Sequence, residues 1–184
     1  MPRLPTRDEA LALLSRHVTT EYTVRHSLAT EAVTRALARR LGHDENLWGI
    51  TGLLHDLDLD EVAGDMHRHA RRTVEILAGL DCPPEMLDAV LAHNGDVLGL
   101  PCRTPLDFAI TAGESVTGMV FAMAKVLPSG SLADVKASSV RKRLKEPRFA
   151  ANVSRERIGQ HVGLGLSEEE FLAIAVEAMG KSGV

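Results

Sequence analysis

The feature that most limits the fold is the spacing of the apolar residues. They recur every three or four positions between residues that start and stop helices, and they do not alternate in the period of a strand. From Tyr22 to Leu41 the stripe His26, Ala29, Val33, Leu37 and Leu41 shares one helix face, and Gly42 supplies the left-handed stop. Thr6 and Glu9 form a capping box ahead of Leu11, Leu13 and Leu14. Asp44 caps a helix running through Leu47, Ile50 and Leu54 and ending near His55 and Asp56. The acidic stretch from Leu57 to Asp65 reads as a loop, followed by a helix from about His67 to Ala78 with Val74 and Leu77 inward. Pro83 and Pro84 open a helix that ends at His93. Thr104 and Pro105 open a long one to about Val126. Ser131 is expected to cap a basic helix to about Lys145, stopped at Pro147. Ser154 and Ser167 cap two more, the latter as a capping box with Glu170. The expectation is an all-α, single-domain bundle of about eight helices over residues 1–184, with its core at about 22–127 and a basic helical extension over 131–184.

Composition narrows the function classes. The net charge of −4 gives no general attraction to nucleic acid or an anionic membrane, and 3% aromatic residues leave little for base stacking. No run is long and apolar enough to span a bilayer, and Lys125 interrupts the nearest, Met119 to Leu127. The N-terminal residues carry Arg3 and Arg7 without an apolar segment behind them, so no signal peptide is expected. Cys82 and Cys102 form no C-x-x-C pair and no dense disulfide pattern, which favours a reducing, cytoplasmic setting.

Polar residues in apolar places carry the chemistry. His26 lies on the apolar stripe of its helix; taken alone it reads as a core histidine with one backbone partner. His55 and Asp56 close a segment that Leu53 and Leu54 bury, and a buried carboxylate is costly unless paired or bound to a metal. His69 and His93 stand at expected helix ends, where a capping or solvated histidine is the ordinary reading. Imidazole nitrogen and carboxylate oxygen together suit Fe, Mn, Zn or Co. Asp58 and Asp60 read as loop-solvating residues, and His17, His43 and His161 as surface or cap residues.

The order of these residues resembles the HD-domain superfamily of metal-dependent phosphohydrolases. His26 with Ser27-Leu28-Ala29, the segment Gly52 to Asp58 and Ala92-His93-Asn94 resemble a subfamily of small bacterial HD hydrolases of the HDIG-like kind. So do Val116-Thr117-Gly118 and Ser131 to Lys136, and the similarity runs from about Arg25 to Ile158. The resemblance implies the HD fold and a centre of one or two divalent transition metals. His26, His55 and Asp56 would hold the first, and Asp56 would bridge to a second held by His69 and His93. His67 is two residues from His69 and could compete for the role, but the family-like spacing to Glu75-Ile76-Leu77 favours His69. The family's last ligand is an aspartate in the long helix; Glu114 occupies that position, with its oxygens about one bond length further out.

The function so implied is hydrolysis of a small phosphate ester or nucleotide by metal-activated water, with His55 and Asp56 in the catalytic centre. The alternatives are a diiron oxygenase of the same fold and a non-catalytic nucleotide- or metal-binding module. The basic segment from Lys136 to Arg157 reads first as a solvated helix face; Arg141, Lys142 and Arg143 are the candidates to hold a substrate phosphate. The expected partner is a small phosphorylated substrate, without nucleic acid or membrane.

Overall fold

In the computed structural model, which describes residues 2–184, every regular element is helical and no strand occurs among the described residues. Eight helices have eight residues or more: α1 (Arg7–His17), α2 (Glu21–Leu41), α3 (Glu45–Leu54), α5 (Arg71–Ala78), α6 (Pro84–His93), α8 (Pro105–Val126), α9 (Ala137–Leu144) and α11 (Glu168–Lys181). Three short ones sit between them: α4 (Leu59–Val62), α7 (Gly95–Leu98) and α10 (Arg155–Gly159). The all-α class and the bundle of about eight principal helices are as the spacing predicts.

The caps behave as their chemistry requires. The side chains of Thr6 and Thr104 accept from the backbone N–H groups of Glu9 and Asp107, and both capping boxes are complete. Asp44 accepts from Asn46 and Leu47, and Gly42 closes α2 at φ 75°. Other expected boundaries shift. Ser131 caps only a 3-10 turn, Leu132–Asp134, and the basic helix α9 starts at Ala137. Ser167 accepts from Glu170, but the Glu170 carboxylate pairs with Arg40 instead of closing the box. The acidic stretch is no simple loop, because α4 forms there and Leu57, Asp58 and Val62 are buried.

Two apolar clusters fill the interior. One gathers Leu37 and Trp48 with the inward residues of α8 and α11, including Ile110, Met119 and Phe171. The other joins α1, α3, α5 and α6 through Leu14, Leu53, Leu54, Leu77 and Met86. Gly52 lets α3 approach α2 closely: a Cβ there would lie 2.5 Å from Thr34 Oγ1 and 3.0 Å from Thr30 O. That approach brings the end of α3, where His55 and Asp56 stand, against the His26 face of α2. The polar centre therefore forms where helices of both clusters converge. No helix of the described residues is long and apolar enough to cross a membrane.

Candidate metal centre

The fold brings His26, His55, Asp56, His69 and His93 together, all buried. Asp56 stands in the middle. Its Oδ2 lies 3.4 Å from His26 Nε2 and 3.2 Å from His55 Nε2. Its Oδ1 lies 3.4 Å from both His69 Nε2 and His93 Nε2. One carboxylate thus serves two histidine pairs, each through its own oxygen, and each pair with Asp56 forms a three-residue group of metal-ligating atoms.

The other ring nitrogens fix which atoms face inward. His55 Nδ1 donates to Gly52 O at 2.8 Å, and His93 Nδ1 donates to Val90 O. His69 Nδ1 donates to Asp58 Oδ1 at 2.7 Å. Thr117 Oγ1 gives its one proton to Glu114 O, so at its 2.8 Å contact with His26 it accepts from Nδ1. All four rings then carry the proton on Nδ1 and turn an Nε2 lone pair toward Asp56, the arrangement of metal-binding histidines held by outer partners. The consequence is electrostatic. His26 Nε2 lies 3.3 Å from His55 Nε2, and His69 Nε2 lies 3.0 Å from His93 Nε2. Lone pairs at that distance repel unless a proton or cation lies between them. A divalent transition ion suits imidazole and carboxylate donors, and one at each pair would answer its repulsion.

The charge states lean the same way. Burial pushes Asp56 toward the neutral form, but His55, His26 and His93 outweigh it and hold the carboxyl well below its ordinary range. Burial lowers His93 and keeps it neutral, as a ligand must be. Burial also opposes charge on His55, yet the adjacent Asp56 leaves it raised.

Three expectations about single residues are corrected. His69 does not open a helix: it stands in a turn before α5, followed by Ala70 at φ 67°, and it is 4% exposed. A positive φ is strained for an alanine, and the His69 beside it points inward. Asp58 does not solvate a loop but is fully buried, holding His69 with one oxygen and the backbone N–H of Thr73 with the other. His161 is buried against Phe171, with ring centroids 5.3 Å apart, whereas His43 stacks on Trp48. Asn94, whose Nδ2 donates to Met66 O and His69 O, is a further support that the spacing did not single out.

Glu114 stands at the edge. Its Oε2 is 3.9 Å from His26 Nε2, it belongs to neither three-residue group, and its Oε1 accepts from Ser115 Oγ at 2.5 Å. The basic segment reaches the centre through a different residue from those expected. Arg141 pairs with Glu168 and Glu169, and Arg143 pairs with Glu146 and lies over Phe149. Lys142 is exposed on α9. The cation beside the centre is Arg157, whose NH1 is 3.6 Å from Glu114 Oε1.

The sequence model of the HD domain matches residues 23–125, more than half of the chain, a span that includes His26, His55, Asp56, His69, His93 and Glu114. No curated protein and no solved structure matches the chain.

Proposed function

Since the chain belongs to the HD-domain family, we propose that it is a metal-dependent phosphohydrolase that cleaves a small phosphate monoester. The observation that carries the reading is the division of Asp56 between two pairs of inward lone pairs, His26 with His55 and His69 with His93. That donor set fits two adjacent divalent ions bridged by one carboxylate. When bound, such ions acidify a water and neutralise charge on phosphoryl oxygens.

The chain's own residues do the rest. Asp56 keeps both halves in register, and its lowered pKa keeps it an acceptor at neutral pH. Gly52 O, Val90 O, Asp58 and Thr117 hold the four rings by Nδ1, so no ring reorganises when the substrate arrives. Glu114 completes the His26 side as a further ligand or as the acceptor of a water proton; its Oε2 lies close enough to His26 for either role.

The test is phosphate release from a panel of phosphomonoesters by protein loaded with Mn, Fe, Co or Zn. Turnover that needs metal and falls at least about a thousandfold in Asp56→Ala supports the reading. Oxygen consumption by iron-loaded protein without phosphate release would replace it with the oxygenase reading.

A further inference from the structure

A cavity of about 400 Å³ opens beside His93, between the 95–102 segment and the region of α10. One wall is made by Ala92, Gly95, Leu100, Pro101 and Cys102; the facing wall carries Ser154, Glu156, Arg157 and Gln160. Among the described residues that line it, Arg157 is the only arginine or lysine, and no lining side chain is a phenylalanine, tyrosine or tryptophan.

Arg157 is held in an unusual way. Asp96 takes its Nε at 3.2 Å and its NH2, a two-point grip that fixes the guanidinium plane. NH1 makes no hydrogen bond among the described residues; it forms an ion pair with Glu114 Oε1 at 3.6 Å, beyond hydrogen-bond range. The side chain is only 20% exposed. A largely buried guanidinium with one edge clamped, and the other ion-paired with Glu114 but free of hydrogen bonds among the described residues, keeps N–H donors for an anion beside the candidate metal centre.

The geometry points to Arg157 as the residue that binds the substrate phosphoryl group through NH1, with the leaving group of a small, hydroxylated, non-aromatic phosphate monoester lodged in the cavity beside His93. This assignment rests on the phosphohydrolase reading and names its substrate class. Oxygen of one water bonds to phosphorus, the P–O bond to the leaving alcohol breaks with its electron pair, and that oxygen takes up a proton released by the water. Thr111, Ser154, Glu156 and Gln160 offer partners for hydroxyl groups on the departing alcohol. A flat base finds no aromatic face there. The exposed aromatic nearest the centre, Tyr22, lies on the His26 side and lines a separate hollow with Phe121 and Arg25.

The experiment is calorimetric titration of metal-loaded protein with inorganic phosphate, for wild type, Arg157→Gln and Arg157→Lys, with bound metal measured on each. Arg157→Gln is expected to keep its metal and weaken phosphate binding about tenfold or more, with Arg157→Lys in between. Unchanged phosphate affinity with full metal overturns the assignment. Loss of metal in Arg157→Gln overturns it too, and makes Arg157 a positioning residue acting through Glu114. Wild type that holds metal but binds no phosphate removes the phosphohydrolase reading together with this one. Should Arg157→Gln fail to fold, Asp96→Asn tests the same fork by freeing its clamp; a severalfold loss of phosphate affinity is expected, and no change overturns the assignment. For the substrate class, kcat/KM for glycerol phosphate is expected to exceed that for adenosine monophosphate. The reverse order, abolished by Tyr22→Ala, would place the leaving group on the Tyr22 side and overturn the cavity assignment.

Discussion

The two halves of the centre are built alike and set differently. The half formed by His26 and His55 lies against α8, where Thr117 supports one ring and Glu114 stands at the rim with its side chain 13% exposed. The half formed by His69 and His93 is the more closed only in that neither ring exceeds 4% exposure, against 9% for His26, and the supporting Asp58 is not exposed at all; His55 is itself fully buried and a cavity reaches His93. Only the second half has a charged residue behind a ring. An imidazole whose Nδ1–H meets a carboxylate is a better donor at Nε2 than one whose Nδ1–H meets a hydroxyl. The comparison shows that one carboxylate, Asp56, can join a more open half, with Glu114 at its rim, to a more closed half backed by Asp58.

The sharpest way to break the comparison is to remove what the halves share. Asp56→Ala is expected to abolish metal binding in both halves and nearly all activity, whereas His69→Ala should leave about one metal per chain; elemental analysis of each variant after metal loading checks this. If Asp56→Ala retains a full complement, the carboxylate is not the bridge.

Next in size is the support behind each ring. Asp58→Asn keeps the shape but removes the carboxylate charge that faces His69 Nδ1, and metal affinity in the closed half should fall about 10- to 100-fold. Thr117→Val should weaken the open half by less, since a hydroxyl is the weaker partner. Competition with a coloured chelator separates the two effects, and equal losses would mean that the halves are not distinct.

The halves should also part on acidification. Protons compete with metal for Nε2, and a ring with a raised pKa takes its proton at higher pH. Burial opposes charge on His55, but Asp56 raises it, whereas burial lowers His93. As pH falls through about 6.5, the His26–His55 half should therefore release its metal first and the His69–His93 half should hold on longer. Metal retained after dialysis over a pH series reads the order directly; release from the closed half first would reverse the argument.

The smallest expected effect concerns Glu114. Shortening it to aspartate draws its oxygens inward by about one bond length and should change metal affinity of the open half by no more than severalfold, leaving the closed half untouched. A loss in both halves would show that α8 supports the whole centre.

What the sequence discloses follows the same division. His26 was legible because it sits on a regular stripe with Ala29, Val33 and Leu37, and the caps Thr6, Asp44 and Thr104 were legible because one side chain meets a backbone N–H two or three residues on. His55 and Asp56 stood out as polar residues closing an apolar helix. The closed half was harder to read from periodicity. His69 lies in an irregular turn followed by Ala70 at positive φ, and Asp58 acts on a ring eleven residues away. The order of ligands named these histidines, but their burial and supports come from tertiary packing. Arg157 stood in the basic segment, but its place beside Glu114 depends on Asp96, 61 residues earlier, and was not legible. Arg141 to Arg143 were the candidate phosphate holders within a segment read first as a solvated face; Glu146 is a local partner three residues from Arg143, whereas Glu168 and Glu169 become neighbours of Arg141 only in the fold.

The most direct test of the shared bridge is anomalous X-ray diffraction from crystals loaded with manganese or zinc. The account predicts two peaks about 3.5–4 Å apart, one on Oδ2 of Asp56 with His26 and His55, the other on Oδ1 with His69 and His93. A single peak, or peaks that do not share Asp56, would contradict it.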